Sequence, residues 1–282
     1  MLDMQRIREN PDLVKNAAQK KKSTVDIDRI VELDNERKKI IYEVESLKSS
    51  RNKTSQQIAV FKKERKDQEA AALMAEMKSV SDRIKELDIR QAQVEEESRN
   101  LQVWVPNIPH ESTPKGASEK DNVVVAEWGE ERTFDFQPKD HMQLSEKLGL
   151  FDFARGAKIA GAGFPVYREY GALLDRALIN FFLNTHTQKN GYTEIFPPFL
   201  ANSASHFGTG QLPKSQEQMY YINEDELYCI PTAEVPVTNL HRDEILEADQ
   251  LPVKYCAYSA CFRREAGSYG KDTKGFLRVH QF

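Results

Sequence analysis

The chain has 282 residues, with 40 Lys and Arg against 44 Asp and Glu and a formal net charge of −4. That length supports two domains and a sizeable core, and a balanced total excludes no class of partner, because local charge clusters hide inside it. No run approaches the roughly eighteen consecutive apolar residues of a membrane span, the start M-L-D-M-Q-R-I-R-E-N lacks the apolar core of a signal peptide, and Cys229, Cys256 and Cys261 have no C-x-x-C spacing, so a soluble cytoplasmic protein without disulfide framework or zinc site is expected.

In chain order, the segment from Ile7 to Lys22 reads as a short helix, with Asn10 as a cap and Pro11 at the first helical position. From Ile30 the apolar positions step by three and four through Leu33, Ile40, Val44, Leu47, Ile58 and Phe61. A second series runs through Leu73, Met77, Val80, Ile84, Leu87, Val94 and Leu101. Each is an a/d heptad pattern long enough to specify a coiled coil. Folding back near Lys66 to Glu69 sets Phe61 near Leu73, Ile58 near Met77, Leu47 near Leu87, Ile40 near Val94 and Leu33 near Leu101. The spacing therefore predicts an antiparallel helical hairpin over residues 1–105. At about 1.5 Å per residue its arm is roughly 50 Å long, too long to bury, and should project into solvent. The distal part carries Lys48, Arg51, Lys53, Lys62, Lys63, Arg65 and Lys66, interrupted by Glu64, whereas the proximal part ends in Glu95, Glu96 and Glu97. A basic tip on a long lever suits a phosphate backbone; the bland alternative is a set of soluble helix formers.

Pro106, Pro109 and Pro114 end the periodicity, which marks 106–120 as a linker and 121–282 as a second domain. Asn122 to Gly129 is strand-like and His141 to Leu148 helical. Phe164 to Tyr167 reads as a strand, Ala172 to Thr187 as an amphipathic helix with Leu174, Leu178, Phe181 and Phe182 on one side, and Tyr192 to Phe196 as a strand stopped by Pro197 and Pro198. Tyr220 to Asn223 and Glu226 to Ile230 form a hairpin. The following P-T-A-E-V-P, Pro231 to Pro236, has two readings. Thr232 and Glu234 could bind the polar groups of a small substrate, or Thr232 could cap a helix whose first turn holds Glu234; the residues alone favour the cap. The last stretch, Cys261 to Phe282, sets Arg263, Arg264, Lys271, Lys274 and Arg278 around Glu265 and Asp272, with Gly267, Gly270 and Gly275 where a chain would turn. It reads as strand, basic loop, strand, and suits a polyphosphate. Neither a Walker-type nor a G-x-G-x-x-G loop is present, and a solvated basic hairpin remains the alternative.

Taken together, the N-terminal hairpin, the Gly163 to Leu200 stretch, the triplet Thr232, Ala233 and Glu234, and F-R-R-E through H-Q-F closely resemble the seryl-tRNA synthetases, class II aminoacyl-tRNA synthetases, along essentially the whole chain. Any one motif is weak and their order is specific. The resemblance implies an α+β fold: an antiparallel coiled-coil hairpin that binds tRNA, then a partial class II catalytic domain, an antiparallel sheet with flanking helices. It implies a homodimer formed through motif 1, with no membrane association. The implied activity is ATP-dependent activation of L-serine to seryl-adenylate, with Mg²⁺ on the ATP, and transfer to the 3′ end of tRNA(Ser) and also tRNA(Sec). Carried over by motif, Arg263 holds the α-phosphate and the serine carboxylate, and Glu265 contacts ATP on the adenine side. Arg264, Arg278, Val279 and His280 complete the nucleotide pocket and Phe282 stacks on adenine. Thr232, Ala233 and Glu234 help to bind serine, and the basic tip reaches the long variable arm of the tRNA; no resident metal is implied. The family pattern continues beyond H-Q-F to a serine-binding glutamate and to motif 3, so this chain, ending at Phe282, is expected to be a fragment inactive by itself. The alternative is a synthetase-like protein that binds tRNA without catalysis.

Overall fold

A computed structural model of the chain describes residues 1–265 and 275–282. They form two compact units, Met1–Trp128 and Gly129–Phe282, the division falling beyond the linker expected at 106–120.

In the first unit α1 (Met4–Glu9) and α2 (Pro11–Lys20) stand where the sequence suggests one helix. Pro11 explains the break: it disfavours helical backbone at the residue before it, and Asn10 adopts φ −136° and ψ 59°. Asn10 occupies the cap position, although its side chain makes no capping bond. The long arms are α3 (Ile27–Lys63) and α4 (Asp67–Gln102), joined by a tight turn in which Arg65 is left-handed, with φ 57°. Asp26 caps α3 by accepting from the Arg29 backbone N–H.

The heptad positions are the buried ones. Leu33, Ile40, Val44, Ile84, Leu87 and Val94 form one apolar cluster, with Leu47, Val80 and Leu101 packed against it. Ile7, Val14, Ile27, Ile30 and Val105 form a second at the base and fix α1 and α2 there. Within this base Asp34 is buried. Burial opposes its charge, yet hydrogen bonds from Lys38 and Arg8 outweigh that and hold its carboxyl below the usual carboxylate range. Ion pairs cross between the arms at Arg29–Glu97 (2.8 Å), Arg37–Glu95 (2.8 Å), Arg90–Glu36 (2.7 Å) and Arg83–Glu43 (3.0 Å). All lie between the base and Glu43, so the proximal stem is zipped by charge, whereas the distal seam rests on fewer buried residues, Ile58 and Ala70 among them.

The strand expected over 122–129 does not form. Val123, Val124, Val125 and Trp128 lie in exposed extended chain, because a strand needs a paired neighbour and the described residues supply none there.

In the second unit α5 (His141–Leu148) starts in a capping box made by Asp140 and Gln143. Then follow β1 (Phe151–Asp152), α6 (Phe153–Ala160), β2 (Val166–Tyr167) and α7 (Glu169–Lys189). After α7 come β3 (Thr193–Ile195), β4 (Leu200–Asn202), α8 (Ser203–Gly208), β5 (Tyr221–Ile222), β6 (Leu227–Cys229), α9 (Glu234–Thr238) and β7 (Tyr255–Ala257). Strands β1 and β2 pair antiparallel, β4–β6–β5 form an antiparallel sheet, and β3 runs parallel to β7. The helix expected after Ala172 forms as α7, but its apolar side is uncovered: Leu174, Leu178, Phe181 and Phe182 are 45–61% exposed.

The closing stretch pairs with itself more sparingly than its alternation suggests. Phe262 and Gln281 form an isolated antiparallel bridge, flanked by mutual backbone bonds between Cys261 and Phe282 (2.7 and 3.0 Å) and by Arg263 N–H to the His280 carbonyl (2.9 Å). Gly275 and Phe276 lie in a turn, and among the described residues no longer ladder forms. Gly267, Gly270, Lys271, Asp272 and Lys274 lie outside the described residues.

Candidate active site

The end of β6 organises the site. Ile230 is fully buried, its N–H donates to the Phe199 carbonyl (3.0 Å), and its own carbonyl accepts from Phe262 (2.8 Å). This brings Pro231 and Thr232 beside the chain that carries Arg263. The Arg263 Nε then donates to the Pro231 carbonyl at 3.1 Å. Thr232 Oγ1 accepts from the Glu234 N–H (3.3 Å), so the hydroxyl helps to start α9 as a cap would. The cap position itself falls on Ala233, one residue later than the sequence reading has it, because Ala233 already has helical backbone at φ −63° and ψ −19°.

These residues wall a cavity of about 380 Å³, lined by Pro231, Thr232, Arg263, Glu265 and Arg278 together with Gln211, Ser215, Gln218 and Met219. In its lining Arg278 Nη1 donates to Glu265 Oε2 at 2.8 Å. Glu265 has φ 47°, a left-handed backbone that costs a non-glycine residue and is common at functional sites. The Arg263 guanidinium lies over the Phe282 ring, 4.9 Å from its centroid. Behind it, His280 Nδ1 donates to the Arg263 carbonyl (2.9 Å), while the His280 ring stacks on Phe164 at 5.2 Å. His280 also bonds through its N–H to the Gly163 carbonyl (2.9 Å). A Cβ at Gly163, where φ is +85°, would lie 2.3 Å from the His280 ring, so only glycine permits that contact. Burial raises the Tyr220 hydroxyl above its usual range, and the nearby Arg264 opposes the shift.

The structure thus brings Thr232, Arg263, Glu265 and Arg278 to one cavity. It does not bring all of the expected residues there. Phe282 lines a second cavity of about 310 Å³ with Phe164, Tyr167, Tyr258 and Gln281. Ala233, Glu234, Arg264, Val279 and His280 line neither cavity, Glu234 being exposed at the start of α9. Sequence reasoning missed Gln211, Ser215, Gln218 and Met219. The signal available was the G-T-G-Q-L-P turn after α8, whose Gly and Pro mark a shaped loop. Among the described residues, no group of three or more His, Cys, Asp or Glu side chains could hold a metal ion.

On the hairpin, Lys48, Lys53, Lys62, Lys63 and Arg65 are exposed and Arg51 is half-buried. Lys66 differs from them: its ammonium pairs with Glu64 at 2.7 Å and sits 5.6 Å from the Phe61 ring centre.

Comparison with known proteins agrees with both parts. Residues 1–109 match the seryl-tRNA synthetase N-terminal domain, and residues 219–282 match the tRNA synthetase class II core domain (G, H, P, S and T). The chain is 56% identical over its whole length to a serine–tRNA ligase of Chloroherpeton thalassium, of which it covers 67%, and 49% identical to that of Carboxydothermus hydrogenoformans, of which it covers 66%. The chain therefore spans about two thirds of the length of these relatives. Among solved structures it superimposes along its whole length on 68% of the seryl-tRNA synthetase from Pyrococcus horikoshii complexed with ATP, with a TM-score of 0.90 at 36% identity. A cytoplasmic serine–tRNA ligase from Naegleria fowleri in complex with AMP matches with a TM-score of 0.82 at 25% identity, the whole chain covering 69% of it. With an N-terminal hairpin domain and a class II core in the same order, and relatives of one name along its whole length, the chain belongs to the seryl-tRNA synthetase family.

Proposed function

We propose that this protein activates L-serine with ATP and transfers it to the 3′ end of tRNA(Ser), and of tRNA(Sec). The observation that carries the reading is Arg263, held by the Pro231 carbonyl at the wall of a cavity shared with Thr232, Glu265 and Arg278. In the first step a serine carboxylate oxygen attacks the α-phosphorus of MgATP and pyrophosphate leaves. In the second a terminal ribose hydroxyl of the tRNA attacks the seryl carbonyl and AMP leaves. Neither step needs a protein nucleophile; both need positioning and cations at the phosphate. Arg263 has the planar fork to bridge the serine carboxylate and the α-phosphate. Thr232, with Ala233 and Glu234, takes the serine end, where groups that bond its hydroxyl reject alanine by being left unpaired. Glu265 and Arg278 face the adenosine, and Arg264, Val279 and His280 support that wall. Phe282, half exposed, offers its ring to adenine. Mg²⁺ enters with the nucleotide as part of the substrate.

The uncovered apolar face of α7, in the stretch similar to motif 1, supports a homodimer closed through Leu174, Leu178, Phe181 and Phe182. The basic end of the hairpin supports tRNA binding in unit 1, and the cavity supports the chemistry in unit 2, with 1–105, 106–120 and 121–282 as binding domain, linker and catalytic domain. No helix among the described residues is long and apolar enough to cross a membrane, and a cytoplasmic location accords with the substrates. The roles separate by mutation. In the protein expressed from its whole gene, Arg263→Ala should abolish serine-dependent ATP–pyrophosphate exchange and leave tRNA affinity intact. Exchange at the unchanged rate in that variant would remove Arg263 from the chemistry and, with it, this reading of the cavity.

A further inference from the structure

Arg278 faces the cavity from the limb of chain that follows the undescribed residues, and something must fix that limb. The described residues supply the fixture. The ring of Phe276, two positions before Arg278, is surrounded by aromatic rings from three other elements. Its centroid lies 4.0 Å from that of Phe151, 5.1 Å from Phe153 and 5.8 Å from Tyr167, and Phe151 and Tyr167 meet edge to face at 4.9 Å across the β1–β2 pair. The backbone is fixed at the same point: the Phe276 N–H donates to His141 Nε2 at 3.4 Å, at the start of α5, and the His141 ring stands 6.4 Å from that of Phe276. Gly275 allows this approach, since at φ +64° a Cβ there would lie 2.4 Å from both His141 Nε2 and Met142 Sδ.

We propose that Phe276 is a positioning residue for the nucleotide: its aromatic socket, closed by His141, holds Arg278 at the distance from which it clamps Glu265. The inference rests on the functional reading above. Phe276 is absent from the lining of the cavity, so its action runs through Arg278. The physical case is one of entropy. Arg278 is a long, exposed side chain on a short limb that pairs with the rest of the unit beyond it, at His280, Gln281 and Phe282. Aromatic rings packed edge to face fix both position and orientation of the residue they hold, and a guanidinium whose backbone is already placed loses less freedom on engaging a ligand. A ring that served only as packing would lower stability without favouring one substrate over another.

The test is a double-mutant cycle in the protein expressed from its whole gene, read by ATP–pyrophosphate exchange and by direct titration with ATP. Phe276→Ala is expected to raise the KM and the Kd for ATP about tenfold or more and to leave the KM for serine unchanged. Adding Phe276→Ala to Arg278→Ala should cost nothing beyond Arg278→Ala alone, as expected when one residue acts through the other. Two milder variants cover the case in which Phe276→Ala does not fold. Phe276→Leu keeps an apolar anchor and should retain most ATP affinity, and His141→Gln keeps an acceptor and should outperform His141→Ala. Additive losses, equal rises in the serine and ATP KM, or His141→Ala and Phe276→Leu both matching the parent in ATP affinity would overturn the proposal. A parent protein that binds no ATP would instead bring down the functional reading beneath it.

Discussion

Replacing Lys62, Lys63, Arg65 and Lys66 with glutamine should flatten the salt dependence of tRNA binding. The geometry sets the size of the effect. Four cations are removed, but Lys66 already has Glu64 as its partner at 2.7 Å, so it has least to give to a phosphate. About three phosphate contacts are therefore lost, and each contributes roughly 0.7–0.9 to the slope of log K against log salt, so the slope should shrink by about 2 to 3. Filter binding between low and moderate salt measures it directly. The hairpin should keep its fold, because its core lies at Leu33, Ile40, Val44, Ile84, Leu87 and Val94 and the ion pairs that cross between its arms lie proximal to the tip. Glu64→Gln provides the opposite perturbation: by freeing Lys66 it should steepen the slope by up to one contact. An unchanged slope in the fourfold variant, with circular dichroism showing an intact hairpin, would refute the assignment of the tip to RNA.

Leu33→Ala, at a fully buried seam position packed against the facing arm, should cost about 2–5 kcal/mol, read as a shift in the denaturant midpoint of the hairpin unit; a cost below about 1 kcal/mol, half the low end of that range, would mean that the seam is not the core. His206 gives a pH signature. It is fully buried, donates from Nδ1 to the Asn202 carbonyl (3.0 Å), and its Nε2 has no partner among the described residues. Burial lowers its pKa, outweighing the Asn202 bond. As the pH falls through about 6.5 the unfolded chain takes up the proton before the folded one does, so this contribution is full above that pH and is lost below it. His206→Phe should therefore lose less stability than the parent between pH 7 and pH 5 in matched denaturant titrations, and parallel curves would contradict the burial argument.

What could be seen in the sequence divides along the range of the interactions. The hairpin was legible because a heptad is local: residues three and four apart declare a face, and the near equality of two such series fixes the register. Arg263, Glu265, Arg278 and Thr232 were legible through their motifs, although the bond from Arg263 to the Pro231 carbonyl joins two of those motifs across the chain. Gln211, Ser215 and Gln218 were not, since a turn carries no periodicity and one bond that brings it to the motif chain, from the Arg264 N–H to the Gln218 carbonyl at 2.8 Å, spans a long stretch of sequence. The strand expected over 122–129 failed for a related reason: a run of three valines declares a strand's composition and says nothing of whether a neighbour exists to pair with it. Conversely, the sequence predicts an amphipathic helix with one apolar side over 172–187, and in α7 that side is exposed. The pattern of Leu174, Leu178, Phe181 and Phe182 specifies burial without specifying in which chain the cover lies.

Serine-dependent ATP–pyrophosphate exchange, run with each of the twenty amino acids on the protein expressed from its whole gene, tests the central claim most directly. Exchange with serine and with no other amino acid is the expected result. No exchange with any of them, in protein shown to be folded and to bind tRNA, would contradict it and leave a tRNA-binding relative without the catalytic step.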